Sequence, residues 1–205
     1  MSTLTGGARP SNSKASQRRR VAIAEATLTL LRARDAAEVA VSDIAAEAGV
    51  SVATVYNLVG RKDQILAGVI DGYVQRVSVE LVKQPLPATE LVQAASVVIT
   101  TAVDAALSDP LPLRAVVREP GTLNLAQTKG MGVDQLIEPR LCAAGASLSE
   151  AREAAQLIVY AFRRTLVSWA HGLISDECFR ADSELATKRL ILGTFGIEDN
   201  GGRHE

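Results

Sequence analysis

Aromatic side chains are scarce in this chain of 205 residues: they make up 3% of the sequence, with one Trp, three Tyr and three Phe. Hydrophobic residues nevertheless amount to 47%, so the core must be built mainly from Ala, Val, Leu and Ile. The two cysteines, Cys142 and Cys178, fit no zinc-binding spacing. No apolar run approaches the roughly 20 residues that cross a membrane, and residues 1–17 do not resemble a signal peptide. We therefore expect a cytoplasmic protein with no membrane association, no metal and no cofactor.

Catalytic motifs are also missing from the sequence. The chain has two histidines, His171 and His204, and the second lies in the C-terminal tail. The nucleophile elbow Gly-x-Ser-x-Gly and the Walker-type phosphate loop do not occur. We therefore expect that the protein is not an enzyme.

Charge is distributed unevenly along the chain, although the net charge is only −1. Residues 1–83 carry 11 Lys and Arg against 8 Asp and Glu, whereas residues 84–205 carry 11 against 15. A surface that binds phosphates is therefore expected in the first part of the chain.

Hydrophobic periodicity predicts an all-α chain, because apolar residues recur near every 3.6 positions and no alternating run is flanked by hairpin turns. Residues 1–16 are rich in Ser, Thr, Gly and Pro, and are expected to form a flexible basic arm. A helix is expected from residue 17, and a second one begins at Ser42, its predicted N-cap. A third is capped by Ser51, and a longer fourth helix starts near Lys62.

The remainder of the chain is predicted to form a bundle of about five further helices. A capping-box sequence, Ser147-Leu148-Ser149-Glu150, opens the longest of them. The expected helices cover residues 89–107, 113–119, 134–144 with a kink at Pro139, 149–174 and 182–195. The predicted divisions are the arm 1–16, a three-helix domain 17–63, a linking helix 64–84 and a bundle 85–200.

Residues 39–59 carry the most informative pattern: two short helices joined by Gly49-Val50-Ser51, as in a helix-turn-helix. Glycine allows the positive φ that such a tight turn needs. The apolar residues of both helices can pack against the first helix, which leaves the start of the third helix exposed. In such motifs this part enters the major groove of DNA. There, Thr54 and Asn57 can hydrogen-bond to base edges, and the Tyr56 hydroxyl can reach a phosphate.

The segment from Asp43 to Tyr56, with Lys62-Asp63-Gln64-Ile65-Leu66 after it, resembles the DNA-binding domain of TetR-family repressors. The family pattern runs Ile-Ala-x-x-Ala-Gly-Val-Ser-x-x-Thr-hydrophobic-Tyr and then Lys-(Glu/Asp)-x-Leu, and residues 20–70 match it almost throughout. The sequence departs from the pattern at Leu58, at Val59 in place of Phe, and at Gly60-Arg61. The last departure replaces a helix cap, so the fourth helix is expected to be less well capped.

The helix-turn-helix and the resemblance together imply a set of DNA-contacting residues. Lys62, at a helix N-terminus, favours a phosphate contact over an ordinary solvated role. Three consecutive arginines near the arm favour contact with the DNA backbone or minor groove. Tyr56 could instead be a core aromatic. The expected DNA-binding residues are Arg18, Arg19, Arg20, Ser42, Ser51, Val52, Ala53, Thr54, Tyr56, Asn57, Arg61 and Lys62.

The resemblance further implies a homodimer that reads a palindromic operator in double-stranded DNA and is released by a small-molecule effector. Because the bundle has few rings to fill it, a mostly apolar cavity is expected there, which favours a hydrophobic or amphipathic ligand. The long helix from Ser149 and the final helix should form the dimer interface. A core or interface role competes with ligand contact for Trp169. The expected ligand-binding residues are Tyr73, Val77, Val103, Arg118, Asn124, Gln127, Met131, Phe162, Leu166 and Trp169.

Alternatives to a ligand-released repressor stay open at this point. The chain could be an activator, or a regulator whose effector is a protein. It could also be an architectural DNA binder without a sensor role, but that class predicts a more basic chain and an inserted wedge, which the sequence lacks.

Overall fold

The computed structural model describes residues 11–84, 90–123 and 132–197. Within these ranges there is no β-strand, which confirms the predicted all-α fold class, and a short 3-10 turn covers Ala36–Glu38. The α-helices whose bounds fall in this part of the chain are α1 (Ser11–Ala33), α2 (Val41–Glu47), α3 (Val52–Leu58), α4 (Lys62–Val82), α5 (Leu91–Ser108), α6 (Pro110–Arg118), α7 (Asp134–Ala143), α8 (Leu148–Ala170) and α9 (Asp176–Phe195).

The first three helices pack around a small apolar core. α1 contacts both α2 and α3, and Ile23, Leu31, Ile44 and Val55 are almost fully buried. Between α2 and α3, Gly49 has a φ of 63°, a left-handed conformation that glycine adopts without steric penalty. The helix-turn-helix predicted from the sequence is therefore present.

Two helix starts in this region differ from the prediction. α1 begins at Ser11 rather than residue 17, because residues 11–16 contain no proline or glycine that would stop the helix. The predicted flexible arm is therefore wrong for residues 11–16, and residues 1–10 lie outside the described part of the chain. α2 begins at Val41, and Ser42 is its second residue rather than its N-cap. There the Asp43 carboxylate accepts a hydrogen bond from the Ala40 N–H at 3.3 Å, which satisfies a free backbone donor at the helix start.

α4 connects the helix-turn-helix to the bundle, and it packs against α1, α5 and α6. It starts at Lys62 as predicted, and the side-chain oxygen of Gln64 accepts a hydrogen bond from the Arg61 N–H at 3.0 Å. Gln64 therefore caps the start of α4, where the sequence predicted weaker capping because of Gly60-Arg61. At the other end, Arg140 of α7 donates to the Leu81 carbonyl at 3.0 Å, and burial lowers the pKa of Arg140 below its ordinary value.

α5 lies at the centre of the bundle, where it contacts α4, α6, α7 and α9. Its length and composition would allow it to cross a membrane, and it is the one helix in the described ranges that passes this test. However, 44% of that span is buried inside the protein, and Val98, Ile99 and Val103 are completely inaccessible. Its apolar composition is therefore accounted for by packing against its neighbours.

α6 follows α5 after a single residue. The sequence prediction placed Pro110 beyond the end of α5 and started the next helix at residue 113, but α6 begins at Pro110 itself. Proline is favourable at the first helical position, because its fixed φ suits the helix and its missing N–H would have no partner there. Asp109 is thus the whole connection between two helices.

The last two helices also have ends that differ from the prediction. The capping box at Ser147 and Glu150 is confirmed, and the two hydrogen bonds from Ser147 hold the pKa of the Glu150 carboxyl below its ordinary value. α8 stops at Ala170 rather than residue 174, because Gly172 turns the chain with a φ of 73°. α9 begins at Asp176, six positions before the expected start, where the Ser175 hydroxyl accepts a hydrogen bond from the Cys178 N–H.

Three of the few aromatic rings form one stacked column between α8 and α9. The ring of Phe179 lies 4.9 Å from that of Trp169 and 5.9 Å from that of Phe162, measured between centroids. The Trp169 indole N–H donates to the Asp176 carboxylate at 2.6 Å, and the Arg114 guanidinium lies 4.3 Å from the centre of the same indole. The column joins α6, α8 and α9.

Candidate DNA-binding surface and its connection to the bundle

α3 presents one side to the core and the other to solvent. Val55 is fully buried, and Ser51, Ala53 and Asn57 are exposed. Tyr56 keeps 49% of its surface accessible, so its position does not support a core role. The predicted recognition surface of α3 is therefore available for contact with another molecule.

Hydrogen bonds at the start of α3 fix the polar side chains there. The Ser51 hydroxyl accepts from the Thr54 N–H at 3.1 Å, so Ser51 is the N-cap as predicted. The hydroxyls of Ser51 and Thr54 are also 2.8 Å apart and share a hydrogen bond. Thr54 thus has a defined hydroxyl orientation at the end of the helix that carries the partial positive charge of the helix dipole.

Basic residues follow α3, and residues 51–62 contain no acidic side chain. Arg61 is exposed and Lys62 is half-buried at the first turn of α4. The Lys62 ammonium donates to the Ala37 carbonyl at 3.1 Å, which sequence reasoning did not anticipate. An ammonium group has three donors, so this contact holds Lys62 in place and leaves donors for an anion.

The remaining predicted DNA-binding residues lie on α1 and α2. Arg18, Arg19 and Arg20 are exposed on the first half of α1. They project from a helix and not from the flexible arm that the sequence predicted. Among residues 11–84, 90–123 and 132–197, no carboxylate lies within ion-pair distance of any of these three arginines. Ser42 is exposed in the first turn of α2.

This domain matches a known family. Residues 23–69, from the middle of α1 to the first part of α4, fit the sequence model of the bacterial regulatory proteins of the tetR family. The match covers this domain and does not extend into the bundle.

Solved structures of bacterial regulators share the fold over most of this chain. A TetR transcriptional regulator from Rhodococcus sp. RHA1 is 24% identical, with a TM-score of 0.70, over 86% of this chain and 96% of that one. The repressor AlkX from Dietzia sp. strain DQ12-45-1b, implicated in biodegradation of n-alkanes, is 23% identical with a TM-score of 0.58, over 86% and 95%. The fatty acid degradation regulator FadR from Bacillus halodurans is 18% identical with a TM-score of 0.62, over 98% and 100%. No curated protein matches the chain.

The predicted ligand-binding residues have different surroundings in the bundle. Asn124, Gln127 and Met131 lie outside the described residues. Phe162 and Trp169 belong to the aromatic column, so their rings already contact another ring. The predicted residues that are buried in the core are Tyr73, Val77, Val103, Phe162, Leu166 and Trp169.

Asp109 connects the bundle to two helices at once. Its carboxylate forms a salt bridge with Arg32 of α1 at 2.7 Å, and its carbonyl accepts a hydrogen bond from the Tyr73 hydroxyl of α4. Burial raises the pKa of Tyr73, although the neighbouring Arg76 opposes the shift. The sequence pointed to Tyr73 but not to Arg32 or Asp109, because a pairing across 77 positions has no local pattern.

Arg118 makes a second connection at the other end of α6. Its Nε donates to the Ala170 carbonyl at the end of α8 at 2.7 Å, and its terminal nitrogen lies 3.2 Å from the Asp35 carboxylate just after α1. The sequence singled out Arg118 as a ligand contact, whereas here it joins the bundle to the DNA-binding domain. Contacts at the two ends of α6 therefore reach α1 at Arg32 and the residue Asp35 just after it.

Proposed function

We propose that this protein is a regulator of the tetR family that represses transcription by binding a palindromic operator, with α3 in the major groove. The observation that carries the proposal is the exposed polar start of α3, held by the Ser51 cap and backed by the buried Val55. In this arrangement Thr54 and Asn57 read base edges, and Ala53 meets a thymine methyl. The proposed contacts to phosphates come from Arg18, Arg19, Arg20, Ser42, Ser51, Tyr56, Arg61 and Lys62.

The operator is palindromic because the protein acts as a homodimer. α8 and α9 pack against each other, and both keep large apolar side chains exposed: Leu157 at 40% and Tyr160 at 68% on α8, and Leu185 at 52% on α9. A second copy related by a twofold axis would cover these side chains with the same surface of its own. Such a dimer carries two copies of α3, and each reads one half-site.

A small hydrophobic or amphipathic effector in the bundle releases the operator in this proposal. α6 supports it, since it contacts α1 and α4 on one side and α8 on the other. An effector that favours one position of α6 would change the position of the DNA-binding helices and must prefer the state that does not bind DNA. The proposed divisions stay those of the sequence, with residues 64–84 as the link and 85–200 as the effector-binding and dimerisation domain.

The printed names of two solved relatives are compatible with an apolar effector. FadR regulates fatty acid degradation and AlkX is implicated in n-alkane biodegradation, and both classes of compound carry long apolar chains. Because these relatives resemble this protein in fold, their names are used only to choose the first ligands to screen. As a regulator of this type the protein works in the cytoplasm, where the operator is accessible.

The proposal is tested by selecting binding sites from a random DNA pool with the purified protein. We expect an inverted repeat whose half-sites are one or more helical turns apart. Ligands are then screened for loss of binding to that site, with alkanes and fatty acids first. A selected site without twofold symmetry, or no selection at all, would contradict operator recognition. A symmetric site that no compound in a broad apolar library weakens would contradict the effector part alone.

A further inference from the structure

A cavity outside the bundle lies between α1 of the DNA-binding domain and the linking helix α4. Its volume is about 300 Å³ and it is partly open to solvent. The floor is apolar, since Ile23, Ile65 and Val69 are buried there, and Val59 at the end of α3 completes it. This volume is at the lower end of the range for small-molecule pockets.

Two glycines keep the α4 side of this cavity open. Gly68 and Gly72 are one helical turn apart and both line it, and a Cβ atom placed on either would meet nothing within 4 Å. Glycine inside a helix is unfavourable by about 0.5–1 kcal/mol relative to alanine. α4 therefore contains two residues that are unfavourable for helix stability, at the positions where larger side chains would fill the cavity.

Two arginines line the same cavity, one from each helix. Arg20 of α1 and Arg76 of α4 are both exposed, and among the described ranges neither has a carboxylate within ion-pair distance. The Arg76 guanidinium lies 4.0 Å from the centre of the Tyr73 ring, which positions it without neutralising its charge. None of the described residues that line the cavity is acidic.

We propose that this cavity binds a small anionic amphiphile: a carboxylate at Arg20 and Arg76, with an alkyl tail on the apolar floor. The two guanidiniums suit a carboxylate, which accepts two parallel hydrogen bonds from such a group. The tail would displace water from Ile23, Ile65 and Val69. Each methylene buried there should strengthen binding about fourfold until the cavity is full.

Occupation of this site would weaken DNA binding directly. Arg20 is one of the proposed phosphate contacts, so a carboxylate bound to it competes with DNA for the same guanidinium. The tail would also lie between α1 and α4, beside the end of α3. This site is separate from the proposed effector site in the bundle, and its consequence for DNA rests on the proposed function.

The test is calorimetry of octanoate binding to the full chain without DNA. We expect one site per chain, binding weaker by about tenfold or more for Arg76→Gln, and a similar loss for Gly72→Leu, which fills the cavity. Arg152→Gln, on α8 and outside the cavity, is the matched control and should bind as the wild type does. Hexanoate should bind more weakly than octanoate. Uncharged octanol should lose more affinity than Arg76→Gln does, because it gives up the charge contacts with both Arg20 and Arg76.

Equal octanoate affinity in the wild type and in Arg76→Gln would overturn the site, and so would equal affinity for octanol and octanoate. Because these measurements contain no DNA, they are independent of the proposed repression.

A second experiment adds octanoate to the complex of the protein with the selected DNA site. The affinity for DNA should fall in the wild type but not in Arg76→Gln. If octanoate binds without changing the affinity for DNA, the proposed competition with DNA is wrong. If the protein binds tightly only to fatty-acid vesicles, the proposal that the ligand is a free small molecule is wrong.

Discussion

Single side chains on the DNA-binding surface should divide into those that read bases and those that hold phosphates. Asn57 is exposed on α3, one position after the exposed Tyr56. Asn57→Ala should cost about 1–3 kcal/mol on the preferred sequence and relax the base preference at one position of each half-site. Binding-site selection with the variant measures this. An unchanged base preference would exclude Asn57 from base contact.

Lys62 should behave as a phosphate contact. Lys62→Gln should weaken binding to all sequences alike and reduce the slope of log affinity against log salt by about one unit. Lys83→Gln, at the far end of the same helix, is the matched control and should leave the slope unchanged. Because Lys62 also donates to Ala37, thermal unfolding is measured alongside. A variant that alters base preference at an unchanged salt slope would contradict the phosphate role.

At the scale of single helices, α6 makes the contacts that join the two parts of the protein. The ion pair of Arg118 with Asp35 is largely exposed, with 40% and 64% of the side chains accessible, and such pairs contribute at most about 1 kcal/mol. The bond from Arg118 to the Ala170 carbonyl is partly buried. Arg118→Met should therefore lower the unfolding free energy by about 1–2 kcal/mol, and Asp35→Asn by less than half of that.

Urea denaturation of the two variants and of the double variant measures these differences. The double variant should be no less stable than Arg118→Met alone, because the ion pair is already lost. Equal effects of the two single changes would place the stabilising contact at Asp35 and not at Ala170.

Helix existence was predictable from the sequence, whereas several helix ends were not. Hydrophobic periodicity located each α-helix of residues 11–84, 90–123 and 132–197, because each of them has a buried face. The helix starts at Pro110 and Asp176 were not predicted. A proline can stop one helix or begin the next, and Ser175 is one of several serines that could cap a helix. Ser51 and Ser147 were predicted correctly because a glycine turn and a Glu at the third helical position narrowed the choice.

On the scale of the whole molecule, dimerisation depends on apolar side chains that the single chain leaves exposed. Leu157→Glu and Leu185→Glu should each convert the proposed dimer to a monomer, because each places a charge in the interface. Operator affinity should fall by about 100-fold or more, since two linked half-site contacts become one. Light scattering and a DNA-binding assay measure this. Leu173→Glu, at a 76% exposed position between α8 and α9, is the control and should stay dimeric.

Long-range pairings are the part of the molecule that sequence reasoning could not supply. The polar contacts that join the DNA-binding domain to the bundle at Asp109 and Arg118 link residues 36 to 83 positions apart. The cavity between α1 and α4 could not be predicted either, because no local sequence pattern indicates that Gly68 and Gly72 line it together with Ala24 and Thr27. Such features depend on how helices pack, and packing is decided by the whole set of side chains.

The aromatic column gives this protein a built-in optical signal. Trp169 is the only tryptophan and it is fully buried, so soluble quenchers should not reach it in the folded protein. Its emission should respond to the Arg114 charge above the ring and to Asp176 at its N–H, and therefore to any displacement of α6, α8 or α9. A ligand in the bundle should change the fluorescence, whereas one bound between α1 and α4 should leave it nearly constant. The fluorescence emission of Trp169 can thus report which of the two sites a compound occupies.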